Sequence, residues 1–145
     1  MFIDSHCHIN FPEIANNIDE ILANMQTNQV TNALCVSVDL DKFPEILALA
    51  EKHDNIYASV GVHPDYELEN EPTQSELVRL ANHPKVIAIG ETGLDYFRLH
   101  GDLEWQRNRF RTHSCLAGSL PARKMDEKSA FPLVFSQNQP GLVDS

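Results

Sequence analysis

The chain has 145 residues, enough for one domain with a buried core, and its 42% hydrophobic and 22% charged residues are typical of a globular protein. Its apolar runs are much shorter than the roughly 20 residues that span a bilayer, and its N-terminus lacks a signal-peptide pattern, so we expect a cytoplasmic protein with no membrane partner. The net charge of −10 argues against a protein that coats DNA nonspecifically, because an acidic surface repels phosphodiester backbones.

The first predicted strand leads into a pair of histidines. Residues 2–10 read Phe-Ile-Asp-Ser-His-Cys-His-Ile-Asn, and successive side chains of an extended segment point to opposite faces. His6 and His8 therefore project to the same side, where they can bind one metal ion, and Asp4 is close enough to orient one of them. Cys7 points away from both, which favours packing over metal binding. The alternative is a strand with two solvated histidines, because His-x-His also occurs by chance.

Four strand patterns, each followed by a helical pattern, occupy residues 1–113. We predict strands over residues 2–4, 31–38, 56–62 and 86–89, and helices that begin after Pro12, near Asp41, after the capping residue Thr73 and near Asp102. A βα unit of about 30 residues predicts the parallel strands of a (β/α)8 barrel, which carries its chemistry at the carboxyl ends of the strands. A doubly wound sheet is the alternative, but no Gly-x-Gly-x-x-Gly turn follows the first strand.

Further candidate residues follow the third and fourth strands. His63 comes directly after the third strand and is predicted to face the substrate, the alternative being a capped loop histidine. Residues 86–96 read Val-Ile-Ala-Ile-Gly-Glu-Thr-Gly-Leu-Asp-Tyr. Glu91 is a candidate metal ligand, although a carboxylate there could also accept backbone N–H bonds from the next turn. Asp95 is equally suited to orienting a neighbour and to capping its own turn.

The two motifs together resemble those of the TatD family of metal-dependent deoxyribonucleases. The resemblance covers residues 1–113 and implies the first four βα units of a TIM-type metal-dependent hydrolase barrel. It also implies hydrolysis of phosphodiester bonds in DNA, with two divalent metal ions per site, which could be Mg²⁺, Mn²⁺ or Zn²⁺. Carried over to this sequence, the metal ligands are His6, His8 and Glu91, with Glu91 bridging the ions, and the catalytic candidates are Glu91 and His63. The family's downstream histidines and late aspartate have no counterparts here.

Two metal ions suit this chemistry because they neutralise the phosphodiester anion and lower the pKa of a bound water toward about 7. Three hypotheses remain open. The first is a TatD-type deoxyribonuclease impaired by truncation. The second is an amidohydrolase-like enzyme acting on a small ester or amide, since fold and metal site do not choose the substrate. The third is a truncated product without catalysis.

The βα pattern stops after residue 113. Gly118 and Pro121 interrupt the fourth helix, residues 130–135 could form a brief apolar strand, and the remainder reads as an irregular tail. We therefore predict two regions, the half-barrel of residues 1–113 and a non-matching, disordered tail of residues 114–145, as a shifted reading frame with an early stop would produce. A truncated half-barrel would expose the edges of its first and fourth strands, so self-association is expected.

The remaining charged and imidazole side chains are predicted to be structural or solvated. Four histidines lie at helix ends or in loops and are predicted to be solvated: His53, His83, His100 and His113. The arginines near the end of the half-barrel could meet DNA phosphates, but a salt-bridged helix face is the preferred interpretation in so acidic a chain. They are Arg98, Arg107, Arg109 and Arg111.

Overall fold

A computed structural model of the chain describes residues 1–97, 99–119 and 133–138. Five parallel strands form one curled sheet in which neighbours along the chain are also neighbours in the sheet. The strands are β1 (Phe2–Cys7), β2 (Val30–Cys35), β3 (Ile56–Val60), β4 (Val86–Leu94) and β5 (Leu133–Asn138). The helices are α1 (Pro12–Ala15), α2 (Ile18–Thr27), α3 (Phe43–Lys52), α4 (Gln74–Ala81) and α5 (Glu104–Ser119). The α/β class and the four predicted βα units are confirmed.

The main core lies between the sheet and the helices. α3 directs Phe43, Ile46 and Ala50 toward it, at the spacing of one helical face, and α4 contributes Leu77 and Ala81. The sheet contributes Ala33, Cys35, Ile56, Ala58, Val60 and Ile89, among others. Strands covered by helices are apolar along most of their length, which explains the weak polar alternation of β2 and β3 in the sequence.

The first predicted helix is divided into two. α1 ends at Ala15, and α2 begins at Ile18 after Asn16 and Asn17. The side-chain amide of Asn16 donates a hydrogen bond to the Pro12 carbonyl oxygen at 3.1 Å. Asparagine is a poor residue inside a helix because its side chain competes for backbone groups, so two in succession end the first helical turn.

β4 is longer than predicted and does not form an edge of the sheet. The Gly-Glu-Thr-Gly-Leu segment, which follows the strand predicted over residues 86–89, is part of β4, and its last residues pair with β5, Thr92 opposite Ser136 and Leu94 opposite Asn138. The expectation that the fourth strand would be an unpaired edge is therefore wrong. Beyond residue 113, α5 continues to Ser119, and residues 133–138 form β5, which overlaps the brief strand expected over residues 130–135. The rest of that region lies outside the described residues.

β1 is an edge strand in the sheet of described residues. Its only partner there is β2, and Met1, Phe2 and Ile3 are 87%, 64% and 68% exposed. Cys7, at the other end of β1, packs against the main core, and its thiol donates to the Leu34 carbonyl oxygen at 3.2 Å. None of the helices in the described part of the chain is both long and apolar enough to cross a bilayer.

The chain just after the end of β3 lies close against β4. A Cβ atom added to Gly61 would lie 2.6 Å from the carbonyl carbon of Gly90 and 2.8 Å from its oxygen. Both neighbouring atoms belong to the backbone, so a side chain at position 61 would force the strands apart. His63 lies two residues after Gly61, in the segment that follows β3, and Glu91 directly follows Gly90 on β4.

We predict that Gly61→Ala destabilises the folded chain by about 1–3 kcal/mol, the usual cost of adding a methyl group where no space exists. The free energy of unfolding, measured by urea titration followed by circular dichroism, tests this. A loss smaller than about 0.5 kcal/mol would show that the two backbones can separate with little resistance.

Candidate metal centre

Three potential ligands from the first and the fourth strand lie together. His6 and His8 come from the end of β1, Glu91 comes from β4, and one ligand atom of each lies within 4.8 Å of the others. The Nε2 atoms of the two histidines are 3.2 Å apart, and His6 Nε2 is 3.9 Å from Glu91 Oε2. Parallel strands end at one edge of a sheet, which brings together residues far apart in the sequence.

The two imidazoles are held differently. Nδ1 of His8 donates to the Val36 carbonyl oxygen at 3.1 Å, so its Nε2 carries the lone pair that a metal ion needs. The His8 ring also stacks on Phe11 with a centroid distance of 5.0 Å. We expected Asp4 to orient an imidazole, but its Oδ1 accepts from the backbone N–H of His6 at 3.1 Å. Asp4 therefore fixes the backbone that carries the pair.

Two buried serines fix the backbone at Glu91. The Glu91 N–H donates to the Ser37 carbonyl oxygen at 2.8 Å, and the Ser59 hydroxyl donates to the Gly90 carbonyl oxygen at 2.7 Å. Ser59 Oγ in turn accepts from the Ser37 N–H at 3.0 Å. Neither serine was predicted from the sequence to have a role at the site. A serine within an otherwise apolar strand indicates that its hydroxyl holds a neighbouring group, because a buried hydroxyl needs a hydrogen-bonding partner.

The Glu91 carboxylate is buried, and its hydrogen bonding among the described residues is incomplete. The residue is 1% exposed, and Oε1 has no hydrogen-bond partner among the described residues. A buried carboxylate oxygen without a partner is costly, and a divalent cation is one group that removes the cost. Two imidazole nitrogens and a carboxylate are suitable ligands for Zn²⁺ or Mn²⁺. The side chains present therefore fit a metal ion.

His63 lies on the other side of Glu91. Its Nε2 is 3.7 Å from Glu91 Oε1, whereas the histidine pair faces Oε2. Its Nδ1 is hydrogen-bonded to Asp65 Oδ1, and its ring has an edge contact with Tyr66 at 6.2 Å. The carboxylate thus has Oε2 directed toward the histidine pair and Oε1 directed toward His63.

Asp95 caps its own turn. Its Oδ1 accepts from the Phe97 N–H at 2.9 Å, which selects the capping alternative over the orienting one. Arg107 and Arg111 both form ion pairs with Glu104 on an exposed helix face, as predicted. Arg98 lies outside the described residues.

The four remaining histidines do not share one environment. His100 is exposed, and Nε2 of His83 contacts Glu51 at 3.1 Å. Nε2 of His53 is buried without a hydrogen-bond partner in the part of the chain described. The prediction that His113 is solvated is wrong, since this residue is 0% exposed. Helix position alone did not reveal its burial, which depends on packing against the end of β3.

His113 is a neutral, buried hydrogen-bonding group. Its Nδ1 donates to the Arg109 carbonyl oxygen at 2.8 Å, and its Nε2 accepts from the Val62 N–H at 3.2 Å. Burial lowers the pKa of His113, and the positive charge of Arg109 lowers it further, whereas the Arg109 carbonyl and Glu71 act in the opposite direction. Protonation of Nε2 would abolish its role as an acceptor.

A protein-family model described as TatD related DNase matches residues 3–122. The chain belongs to the TatD family. The match includes both histidines of the metal centre, His63 and Glu91, and it extends past residue 113, where we expected the resemblance to end. A divalent metal centre at these side chains agrees with the family assignment.

Curated TatD relatives carry names that indicate metal-dependent hydrolysis. A protein of Buchnera aphidicola subsp. Baizongia pistaciae, named an uncharacterized metal-dependent hydrolase, is 37% identical over 114 residues, covering 77% of this chain and 43% of the relative. The uncharacterized metal-dependent hydrolase YcfH of Escherichia coli K12 is 36% identical over 99 residues, covering 66% of this chain and 37% of the relative. The chain thus spans less than half the length of these relatives.

Solved TatD structures share the fold. The crystal structure of YjjV, a TatD homologue from Escherichia coli K12, superposes with a TM-score of 0.71 at 28% identity, covering 94% of this chain and 51% of that one. A TatD family hydrolase from Entamoeba histolytica gives a TM-score of 0.70 at 30% identity, covering 81% of this chain and 46% of that one. These similarities confirm that the chain has the architecture of about half of a TatD-type barrel.

We predict that the folded chain loses stability as the pH falls below about 6.5. An unfolded histidine takes up a proton near this pH, whereas His113 in the folded chain does so only at lower pH, so acid favours unfolding. The contribution is at most about 1.4 kcal/mol per pH unit for one proton. Urea titrations between about pH 7.5 and about pH 5.5 should give a smaller pH dependence for His113→Gln than for the wild type.

The matched control for this measurement is His100→Gln, which removes an exposed histidine. Its pH dependence should equal that of the wild type. Equal pH dependence in wild type and His113→Gln would show that His113 titrates alike in the folded and unfolded chains, contrary to the structure.

We predict opposite effects of Glu91→Gln on metal affinity and on stability. Loss of an outer-shell partner of a metal ligand costs about 10–100-fold in affinity, so replacing a ligand should cost at least about 100-fold for Zn²⁺ or Mn²⁺. The metal-free variant should be as stable as the wild type or more stable by up to about 2 kcal/mol, because the amide keeps the shape and removes a buried charge. Calorimetric titration and urea unfolding give the two quantities.

Glu45→Gln is the control for the buried position, since Glu45 is exposed in the first turn of α3. It should leave the metal affinity unchanged. An affinity within about threefold of the wild type in Glu91→Gln would mean that Glu91 is not a ligand.

Proposed function

We propose that this chain provides His6, His8 and Glu91 as ligands for a divalent ion in a TatD-type centre that hydrolyses phosphodiester bonds in DNA. The observation that supports the proposal is the buried Glu91 carboxylate, with Oε2 directed toward the histidine pair and Oε1 without a hydrogen-bond partner among the residues described. The family description supports DNA as the substrate class. The metal ions in question are Mg²⁺, Mn²⁺ and Zn²⁺, and the two imidazole ligands favour the last two.

Each residue would have a distinct task. His6, His8 and Glu91 would together hold one ion. A bound divalent ion supplies Lewis acidity toward a phosphoryl oxygen and lowers the pKa of a bound water. His63, fixed through Nδ1 by Asp65, would direct its Nε2 to the substrate phosphate beside the Glu91 Oε1 atom. Burial of Glu91 excludes bulk water from the carboxylate, which strengthens its electrostatic interactions.

The number of ligands limits the activity that we propose. A catalytic metal site has about three protein ligands and an open position, and a two-metal site needs a set for each ion. In the part of the chain that the structure describes, three side chains form such a group. The chain should therefore bind one ion and hydrolyse DNA poorly. Ion binding without catalysis is the second candidate function, supported by the same ligand count.

A third candidate is an amidohydrolase-like reaction on a small ester or amide. The metal-ligating side chains do not distinguish it from phosphodiester hydrolysis, because one fold and one set of ligands can serve many substrates. The family description is the observation that favours DNA over this alternative.

We predict that the purified chain hydrolyses DNA at least about 10³-fold more slowly than a complete relative such as YcfH, under saturating Mg²⁺ or Mn²⁺, because the described residues provide one group of metal ligands and a two-metal site needs a set for each ion. Release of nucleotides from end-labelled single-stranded and duplex oligonucleotides measures this rate. Hydrolysis of p-nitrophenyl acetate, measured in parallel, tests the small-ester alternative. Calorimetry should give one Mn²⁺ per chain.

Two variants complete the design. His6→Ala should abolish Mn²⁺ binding, whereas His100→Ala, which removes an exposed histidine, should leave it unchanged. DNA turnover within about tenfold of the complete relative, and lost in His6→Ala, would show that these three ligands suffice for catalysis. Absence of Mn²⁺ binding in the wild type would contradict the metal centre itself.

A further inference from the structure

Three successive residues after β3 are each held by a different side chain of α5. The Val62 N–H donates to Nε2 of His113 at 3.2 Å. Nη1 of Arg109 donates to the His63 carbonyl oxygen at 2.9 Å, and Nε2 of Gln106 donates to the Pro64 carbonyl oxygen at 2.9 Å. The spacing of three and then four residues places all three side chains on one face of the helix.

This polar helix face is buried and anchored. Gln106, Arg109 and His113 are 0%, 3% and 0% exposed. The Arg109 guanidinium forms two bonds to the Glu71 carboxylate, at 2.7 and 2.6 Å, and lies 4.8 Å from the centroid of the Trp105 ring. Paired, charge-assisted bonds of this kind are directional as well as strong. Arg109 therefore has little freedom to change its position.

The same face also holds the end of β4. The Gln106 side-chain amide donates from Nε2 to the Asp95 carbonyl oxygen at 2.8 Å and accepts at Oε1 from the Asp95 N–H at 3.1 Å. One buried amide thus joins the segment that carries His63 to the segment that follows Glu91. These hydrogen bonds from α5 therefore help to fix the position of His63 relative to Glu91.

The segment after β3 needs such support. Residues 61–73 contain no helix or strand, and loops of this length are usually the most mobile parts of a domain. Glu71 lies near the end of this segment and His63 near its beginning, and Arg109 contacts both. The guanidinium therefore holds the two ends of the segment at fixed places on α5.

We propose that Arg109 is a positioning residue for His63, and that Gln106 and His113 complete the support. By fixing the His63 backbone, α5 directs the imidazole Nε2 to the position 3.7 Å from Glu91 Oε1. The inference rests on the proposed function only in that His63 faces a phosphate. Arg109 acts through His63 and does not touch the metal ligands, so its loss should alter the ring of His63 before it alters metal binding.

The direct test observes the His63 ring. In Arg109→Lys the positive charge is kept, but an ammonium cannot make the two Glu71 bonds and the His63 bond in the same geometry. We expect the ¹⁵N signals of the His63 ring nitrogens in the metal-free chain to shift or broaden. The matched control is Arg111→Lys, three-fifths exposed on the same helix, which should leave them unchanged. Unchanged His63 signals in Arg109→Lys would overturn the inference.

The functional test uses inorganic phosphate and the Mn²⁺-loaded chain. Calorimetry should show phosphate affinity lowered about fivefold to tenfold in Arg109→Lys, with Mn²⁺ affinity within about twofold of the wild type. His63→Ala should have a similar effect on phosphate. The double variant should bind phosphate no more weakly than His63→Ala, because a residue that acts through the ring has no effect once the ring is removed. Additive losses would overturn the inference.

The two proposals fail in different ways. If His63→Ala leaves phosphate affinity unchanged, the role of His63 in the proposed function is wrong, and the ring signals alone decide the positioning inference. If Arg109→Lys does not fold, as judged by circular dichroism, Glu71→Gln replaces it, since Glu71 is partly exposed and its amide keeps one bond to Arg109. That variant should shift the His63 signals in the same direction, and unchanged signals would again overturn the inference.

Discussion

Gly61 has no room for a side chain because the backbone of Gly90 lies against it, and this contact holds the segment after β3 close to the middle of β4. His63 lies two residues after Gly61, and Glu91 directly follows Gly90. The hydroxyl groups of Ser37 and Ser59 satisfy the backbone groups at the same place. A wider spacing would separate His63 from Glu91 and leave these backbone groups buried without partners, at a cost of about 1–3 kcal/mol each.

Much of the fold could be predicted from local patterns. Helical and strand periodicity placed the four βα units, and the alternation of side chains along β1 placed His6 and His8 on one side. Glu91 was identifiable because its motif resembles that of a known family. These features depend on short stretches of sequence, so a single chain was sufficient to recognise them.

Other features depend on contacts between distant segments. The length of β4 is set by pairing with β5, about 40 residues later along the chain, and no local pattern contains that information. The burial of His113 arises because α5 packs against the end of β3, and periodicity could not distinguish a buried polar face from a solvated one. The break between α1 and α2 could have been predicted from the sequence, since two successive asparagines are unfavourable inside a helix.

The edge position of β1 has a consequence for how an ion and the fold influence each other. His6 lies on β1, the outermost strand among the described residues, His8 directly follows that strand, and Glu91 lies on β4, so a shared ion would link β1 to β4. Edge strands detach from a sheet more readily than central ones do. Because an ion bound only by the docked arrangement stabilises it by mass action, free ion concentration would set the fraction of molecules whose N-terminal strand is in place. The resistance of the N-terminal strand to proteases would then increase with the free metal-ion concentration.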